Sequence, residues 1–386
     1  MIKKNRSLLW RDTLVCTIAT TIVAGLLLML FIHVHILDPI SKAFEDFRFS
    51  DIYTSQNFKE KAPTNKIILV NIGNHDRADI AIAVNKIAEN KPKVIGLDII
   101  FQERKDPIKD SILHFALQKN KNVVSAYIVE EKSLVVSNPY FKTTELGFIN
   151  LNQQDAVVRD FTGIKKTESR VDYAFPVKVL EVAGLLNDDT KQKLEHSLKI
   201  NYTGNQNSFL TFELNEIQVS DKIPALENAI VLFGYMGSPT GNKNDILDKH
   251  FTPLNSKFAG KSIPDMYGIV VHANIIKMLM EADYIYKAPK FLVLLLAFLC
   301  CFVTIFFALL LHKKSAFTYH LLLKILELAV SVIFLYIAFL LMNCNVDIQI
   351  EPIIILCILG LEVVILYDHL LHYLQKRWKW ESYLLK

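Results

Sequence analysis

Apolar residues along this chain gather into four long runs, one near the start and three near the end, around a central stretch in which charges recur throughout. The first run, residues 13–37, has no strong charge after Asp12 and is about 25 residues long, enough to cross about 30 Å of hydrocarbon. Lys3, Lys4, Arg6 and Arg11 precede it, and His33-Val34-His35-Ile36-Leu37 offers no small-residue cleavage site. The pattern predicts an uncleaved signal anchor. Runs at 291–311, 319–342 and 352–371 predict three more spans joined by short connections.

The polar flanks set an expected orientation. Lys313 and Lys314 follow the second span, only Asp347 and Glu351 lie between the third and fourth, and Lys376, Arg377 and Lys379 follow the last. Basic residues favour the cytoplasmic side. Residues 1–12 and the basic-aromatic tail 372–386 are therefore expected in the cytoplasm, and residues 38–289 outside it.

Within 38–289 the pattern changes to that of a folded domain. Lys66 to Ile72 is a short β-rich run closed by Gly73-Asn74, and Ile80, Val84, Ile87 and Ala88 then recur at helical spacing before Pro92. A second continuous apolar run, Val94 to Ile100, completes a βαβ unit, which requires a parallel sheet covered on both faces. Further strands are predicted at 122–129, 198–202 and 229–234, and helices at 110–119, 173–186 and 269–283. The fold class expected is an α/β extracytoplasmic domain, a mixed, largely parallel sheet with helices on both faces, carried on four transmembrane helices. The last helix of the domain is expected to run directly into the second span, with a kink at Ala288-Pro289. Such a rod would transmit displacement across the bilayer.

Composition agrees with the division: 386 residues at 52% hydrophobic are too apolar for soluble domains alone. The net charge of +4 comes mainly from clusters beside the spans, which argues against a nucleic-acid partner. Cys16, Cys300, Cys301, Cys344 and Cys357 all lie in or beside apolar runs, so the central domain holds neither a disulfide framework nor a cysteine zinc site.

Several blocks of the central domain, in order, resemble the type-two CHASE sensor domain: Lys93 to Phe101, Leu146-Gly147-Phe148-Ile149-Asn150 with Val157-Val158-Arg159, and Asn201-Tyr202-Thr203-Gly204. Ile230 to Gly234 with Asp248 and Thr252-Pro253, then Gly268 to Asn274, continue the likeness, and Asp38-Pro39 with Glu45-Asp46-Phe47-Arg48-Phe49 resembles its opening segment. The resemblance implies a bacterial extracytoplasmic sensing module between one preceding and about three following spans, in the inner membrane. In that family a cytoplasmic effector commonly follows the last span, whereas about 15 residues follow it here. The output is therefore expected to pass through a partner protein in the membrane or cytoplasm. The sequence also departs from the family after the first strand, where an acidic pair or triplet is usual and Asn71, Gly73 and Asn74 stand instead. Asp76 is the residue that would partly substitute.

Ligands of open α/β sheets bind at the carboxyl ends of strands, which makes Asn74, His75, Asp76, Asp98, Glu103, Tyr235, Asp248 and His250 the candidate ligand-binding residues. Asp98 at the end of a buried strand has a more ordinary reading as a loop cap, and His272 as a satisfied interface group. The glycines of 234–241 lack phosphate-loop spacing. His250 with Asp245 and Asp248 is the best, though weak, metal cluster, and no catalytic signature, metal or cofactor is expected. In the spans, Glu362 must face a helix, water or a partner. Lys324 and Glu327, one turn apart, would neutralise each other. Besides lipid, the tail residues Tyr373, Trp378, Trp380 and Tyr383 suit the headgroup zone or an effector. Two further readings stand beside the sensor: a structural or accessory subunit of an envelope complex, and a hydrolase that would need Asp98, Asp248 and His250 within reach of one metal.

Overall fold

A computed structural model describes residues 2–33, 48–56, 64–131, 133–151, 157–167, 170–220, 222–238, 246–255, 263–312 and 316–385. Asp38 to Phe47, residues 239–245 including Asp245, and Lys313 and Lys314 lie outside the described residues. The chain divides into a membrane unit, residues 1–53 and 286–386, and an external unit, residues 54–285.

In the external unit the central strands are β1 (Thr64–Asn71), β2 (Val94–Leu97), β3 (Val123–Val129) with the short β4 (Leu134–Val135), and β5 (Glu145–Phe148). Short hairpin strands β6 (Asp160–Thr162), β7 (Ile164–Lys166), β8 (Val171–Tyr173) and β9 (Ser197–Lys199) precede β10 (Phe209–Glu213) and β11 (Ile230–Gly234). Two-residue strands β12 (Lys249–His250) and β13 (Met266–Tyr267) come last. The helices, in chain order, are α1 (Arg77–Glu89), α2 (Pro107–Lys119), α3 (Phe175–Val182), α4 (Asp188–Lys193), α5 (Leu214–Val219) and α6 (Gly268–Glu281).

The sheet runs β10-β1-β11-β2-β3, with β5 and the antiparallel β4 both pairing with β3. All pairings except β3–β4 are parallel. Side chains alternate along each strand, so Ile67 and Leu69 face one layer while Ile68 and Val70 face the other. The first layer is α3 with α6, through Phe175, Val179, Ile269 and Ile276; the second is α1, α2 and α5, through Ile80, Val84, Leu113 and Leu214. A strand covered on both sides must be apolar at consecutive positions, which is why β1 and β11 read as unbroken runs. The expected βαβ unit is present with one difference: β11 lies between β1 and β2.

The expected rod into the membrane is not formed. Helix α6 stops at Glu281, where Ala282 takes a left-handed φ of 53° and its N–H closes onto the Met278 carbonyl. Eight non-helical residues, 282–289, then precede the next helix, with Pro289 at its N-cap. A left-handed residue ends the i→i−4 ladder outright, whereas Pro289 alone would only have kinked it.

Among the described residues the membrane unit has four helices long and apolar enough to span: Ile2–His33, Lys290–Leu311, Ala316–Asn343 and Glu351–Trp378. Cys16 of the first, Cys301 of the second and Cys357 of the fourth are buried among Val293, Ile305 and Val364. In the first helix Thr13, Thr17, Thr20 and Thr21 donate their hydroxyls to carbonyls one turn back, which satisfies them without water.

The tail is docked on the first span. The buried Asp12 carboxylate accepts from the Ser382 hydroxyl and the Tyr383 N–H, each at 2.7 Å, and from Arg11 at 2.9 Å, while Arg11 lies 4.7 Å from the Trp380 ring. Asp12→Ala removes the acceptor shared by the Ser382 hydroxyl and the Tyr383 N–H, at a cost of about 1–3 kcal/mol. Limited trypsin digestion of the variant in detergent micelles is expected to cut at Arg377 and Lys379 about tenfold faster. An unchanged digestion rate would show that Asp12 does not hold the tail.

Candidate functional site

The candidate residues separate into two places. At the end of β1, Asn71 is buried and fully engaged: its amide donates to both Glu213 carboxylate oxygens and to the Gly237 carbonyl, and its own oxygen accepts from Gly73 and Met236. Asn71 thus ties β1, β10 and the segment after β11 together. Asp76 does not substitute there as a free acid, because it caps α1. It accepts from the Ala78 and Asp79 N–H groups and pairs with Lys109 at 2.6 Å, which holds its carboxyl below the usual range. His75 Nδ1 faces Asp79 at 3.3 Å, Asn74 is exposed, and Glu103 is exposed with its carbonyl accepting from Arg77. Tyr235 packs edge-on against Tyr267. None of these six positions lines the pocket described next.

That pocket, a cavity of about 320 Å³, opens beyond the carboxyl ends of β2, β3 and β5. Asp98, the residue after β2, forms its floor together with Asp248, His250 and His272. Ile128, Ile149 and Leu151 form an apolar wall, and Asn150 sits among them with its amide exchanging two hydrogen bonds with the backbone of Val129. Asp248 is aimed by a tight local geometry: it has a left-handed φ of 58°, and its carbonyl accepts the Gly268 N–H at the start of α6. An added Cβ at Gly268 would lie 3.3 Å from the Asp248 carboxylate oxygens, so that acid lies against the first turn of α6. His250 is placed by the β12–β13 pairing, with Nε2 3.9 Å from Asp248. His272, one turn into α6, packs its ring edge-on against Phe175 at 5.5 Å.

The loop-cap reading of Asp98 is not what the structure shows. Its backbone N–H donates to Phe233, but its carboxylate caps no loop among the described residues. Burial pushes the Asp98 carboxyl up to about 8, and the nearby Asp248 pushes the same way. Desolvation in the cavity raises Asp248 to about 6 although its side chain is 44% exposed, against the opposing pull of the Gly268 N–H. His272 is held down at about 3 by burial and by His250, and burial also lowers His250. His272 is 3% exposed and its Nδ1 is buried without a hydrogen-bond partner among the described residues. The reading of His272 as a satisfied interface group is corrected accordingly.

Three of the sequence candidates therefore converge, Asp98, Asp248 and His250, and they are joined by His272 and Asn150. Among the described residues no group of three His, Cys, Asp or Glu side chains is placed to hold an ion. The arrangement a metallohydrolase would need is not present there. Asn150 carried a signal only as part of a family block.

In the membrane unit, Lys324 bridges Glu327 at 2.9 Å and Glu362 at 2.7 Å. The simple pair expected from the sequence is thus a triad linking the third and fourth spans.

A family model described as the CHASE2 domain matches residues 23–312. No curated protein and no solved structure matches the chain.

Proposed function

The chain belongs to the CHASE2 domain family, and on that premise we propose that it is a membrane-anchored sensor that takes a small ligand in the Asp98–His272 pocket and signals through a separate partner chain. The CHASE2 domain is an extracellular sensory domain rather than a catalytic one. One observation carries the ligand reading: an open cavity of about 320 Å³ at the carboxyl ends of a parallel sheet, with two acids and two histidines converging on it. The flanking charges support both termini being cytoplasmic, which four spans allow because an even number of crossings returns the chain to its starting side, and the family resemblance supports a bacterial inner membrane.

The partner reading is supported by the Lys324 triad. One lysine against two glutamates leaves one negative charge, and the Lys324 and Glu362 side chains are 62% and 49% exposed on the helices. Net charge facing lipid is costly, and a transmembrane helix carrying an arginine or lysine would neutralise it. Affinity purification in mild detergent is expected to recover a stoichiometric membrane partner with a cytoplasmic domain, and Glu362→Leu is expected to reduce its recovery about tenfold. Purification of the wild-type chain alone under several mild detergents would sink the partner reading. The Asn71 corner is hydrogen-bonded within the chain and offers a ligand no free acid, which is the observation in favour of a second reading, an accessory subunit of an envelope complex.

A further inference from the structure

We propose that the pocket between the ends of β2, β3 and β5 and the start of α6 binds a short-chain primary amine, its ammonium group held by Asp98, Asp248 and the ring of His272 and its hydrocarbon laid against Ile128, Ile149 and Leu151. The inference rests on the sensor reading only for its biological meaning; the chemistry stands on the pocket itself.

Three features select this class. The first is donor and acceptor balance. The lining offers acceptors: the Asp248 carboxylate, the carbonyl oxygen of the protonated Asp98 carboxyl, and an imidazole buried to 3% exposure whose Nδ1 has no hydrogen-bond partner among the described residues. An alkylammonium group brings three N–H donors and no acceptor, the complement of that set. With the neutral ring protonated at Nε2, the His272 Nδ1 is an acceptor without a partner among the described residues, and a ligand N–H that reaches it gains that interaction without displacing an existing one.

The second feature is charge. Near neutral pH Asp248 is ionised, Asp98 holds its proton, and both histidines are neutral, so the floor carries about one negative charge. These four are the titratable groups that line the cavity, contributed by β2, the β12 hairpin and α6. One positive charge neutralises the floor and an anion is repelled. A divalent ion, which would match two ionised acids, finds no three-ligand cluster among the described residues.

The third feature is size and polarity. A volume of about 320 Å³ corresponds to about ten waters. Ile128, Ile149 and Leu151 also line the cavity, which suits a body of a few methylenes and adds no favourable contact for a strongly hydrated inorganic monovalent ion.

Binding of the ammonium also lowers the Asp98 carboxyl toward its ordinary value, because a cation within contact favours the ionised form. Proton release on binding is therefore expected between about pH 6.5 and 8, and affinity rises with pH across that window while the amine stays charged.

The test is titration calorimetry on the full-length chain in mild detergent at pH 7.5 with n-propylamine, n-butylamine and isobutylamine, against n-butanol as the neutral isostere, butyrate as the anion and zinc chloride as the metal. The expected result is saturable binding of at least one amine, at least tenfold weaker binding of n-butanol, no binding of butyrate, and release of a fraction of a proton measured across buffers of different ionisation enthalpy. Asp98→Asn and His272→Phe should each weaken the amine about tenfold or more. Phenylalanine keeps an aromatic ring against Phe175 and removes both imidazole nitrogens, and thermal unfolding of both variants shows whether they are folded. No binding of any of the three amines to folded protein overturns the proposal, as does n-butanol binding equally well, zinc binding in place of amine, or amine affinity unchanged in both variants. The sensor reading is judged separately by partner recovery: amine binding without a partner leaves this site standing, and a partner without amine binding removes the site alone.

Discussion

Gly147→Ala is expected to destabilise the external unit by about 3 kcal/mol or more, the upper end of overpacking costs. Gly147 lies in β5 directly beneath the start of α3, and a Cβ there would sit 2.4 Å from the Phe175 Cα and 2.9 Å from the Phe175 nitrogen. Both are backbone atoms, so no rotamer change relieves the clash. The strand and helix would have to separate, and Phe175, Phe148 and Val179 all lie in the core that this contact closes. The expected readout is faster hydrogen exchange across β5 and α3 in the full-length variant and a lowered unfolding midpoint. A useful contrast is Gly25→Ala, where a Cβ meets nothing within 4 Å and no loss is expected. If Gly147→Ala unfolds at the wild-type midpoint, the close approach of β5 and α3 is wrong.

The second large effect is a gain. Asp98→Asn is expected to stabilise the ligand-free external unit by on the order of 3 kcal/mol at pH 8 and to remove most of the pH dependence of stability between pH 6.5 and 8. In the folded protein Asp98 titrates at about 8, well above an unfolded value near 4, so the fold holds this proton and ionisation works against it. The penalty is absent below about pH 4, grows as pH rises, and is complete above about pH 8. Asp248, at about 6, adds a penalty of the same sign between about pH 4 and 6. The histidines act in the opposite direction. His272 at about 3 and the lowered His250 are neutral in the fold, so stability falls as pH drops below their unfolded values near 6.5. The two trends oppose each other between about pH 4 and 6.5, and from 6.5 to 8 the ionisation of Asp98 governs how stability changes with pH. Unfolding midpoints of wild type and variant across that range check the claim, and parallel curves would refute it.

Much of the architecture was legible because it depends on chain-local quantities. Span lengths, the switch from unbroken apolar runs to helical spacing at Ile80, Val84 and Ile87, and the strands at 123–129 and 230–234 follow from what lipid and a doubly covered sheet demand of consecutive residues. The strand reading overran at Asp98 to Ile100, which are apolar enough in part to extend β2 but lie beyond the end of the strand, with Asp98 lining the pocket. The helix reading overran at Ala282, because a left-handed conformation at alanine has no compositional mark.

The candidate site was legible residue by residue and not as a set. Being at the end of a strand picked out Asp98 and Asp76 equally, yet one faces a cavity and the other caps α1, and only the path of the backbone after each strand distinguishes them. Asn71 shows the converse. It stands where the family resemblance leads one to expect an acid, and it is held by hydrogen bonds to Glu213, Gly237 and Met236, partners more than 140 residues away in sequence.

By itself the sequence determined that four apolar helices carry one α/β domain and that this domain resembles the CHASE sensors, since hydrophobic length, periodicity and block order are properties of neighbouring residues. Tertiary structure alone decided that Asp98, Asp248, His250 and His272 share one cavity, that Lys324 reaches Glu362 on another helix, and that the tail closes on Asp12. Each of these joins residues separated by tens to hundreds of positions, and the carboxyl pushed up beside a second acid and the histidine left without a partner exist only once folding has removed the water between them.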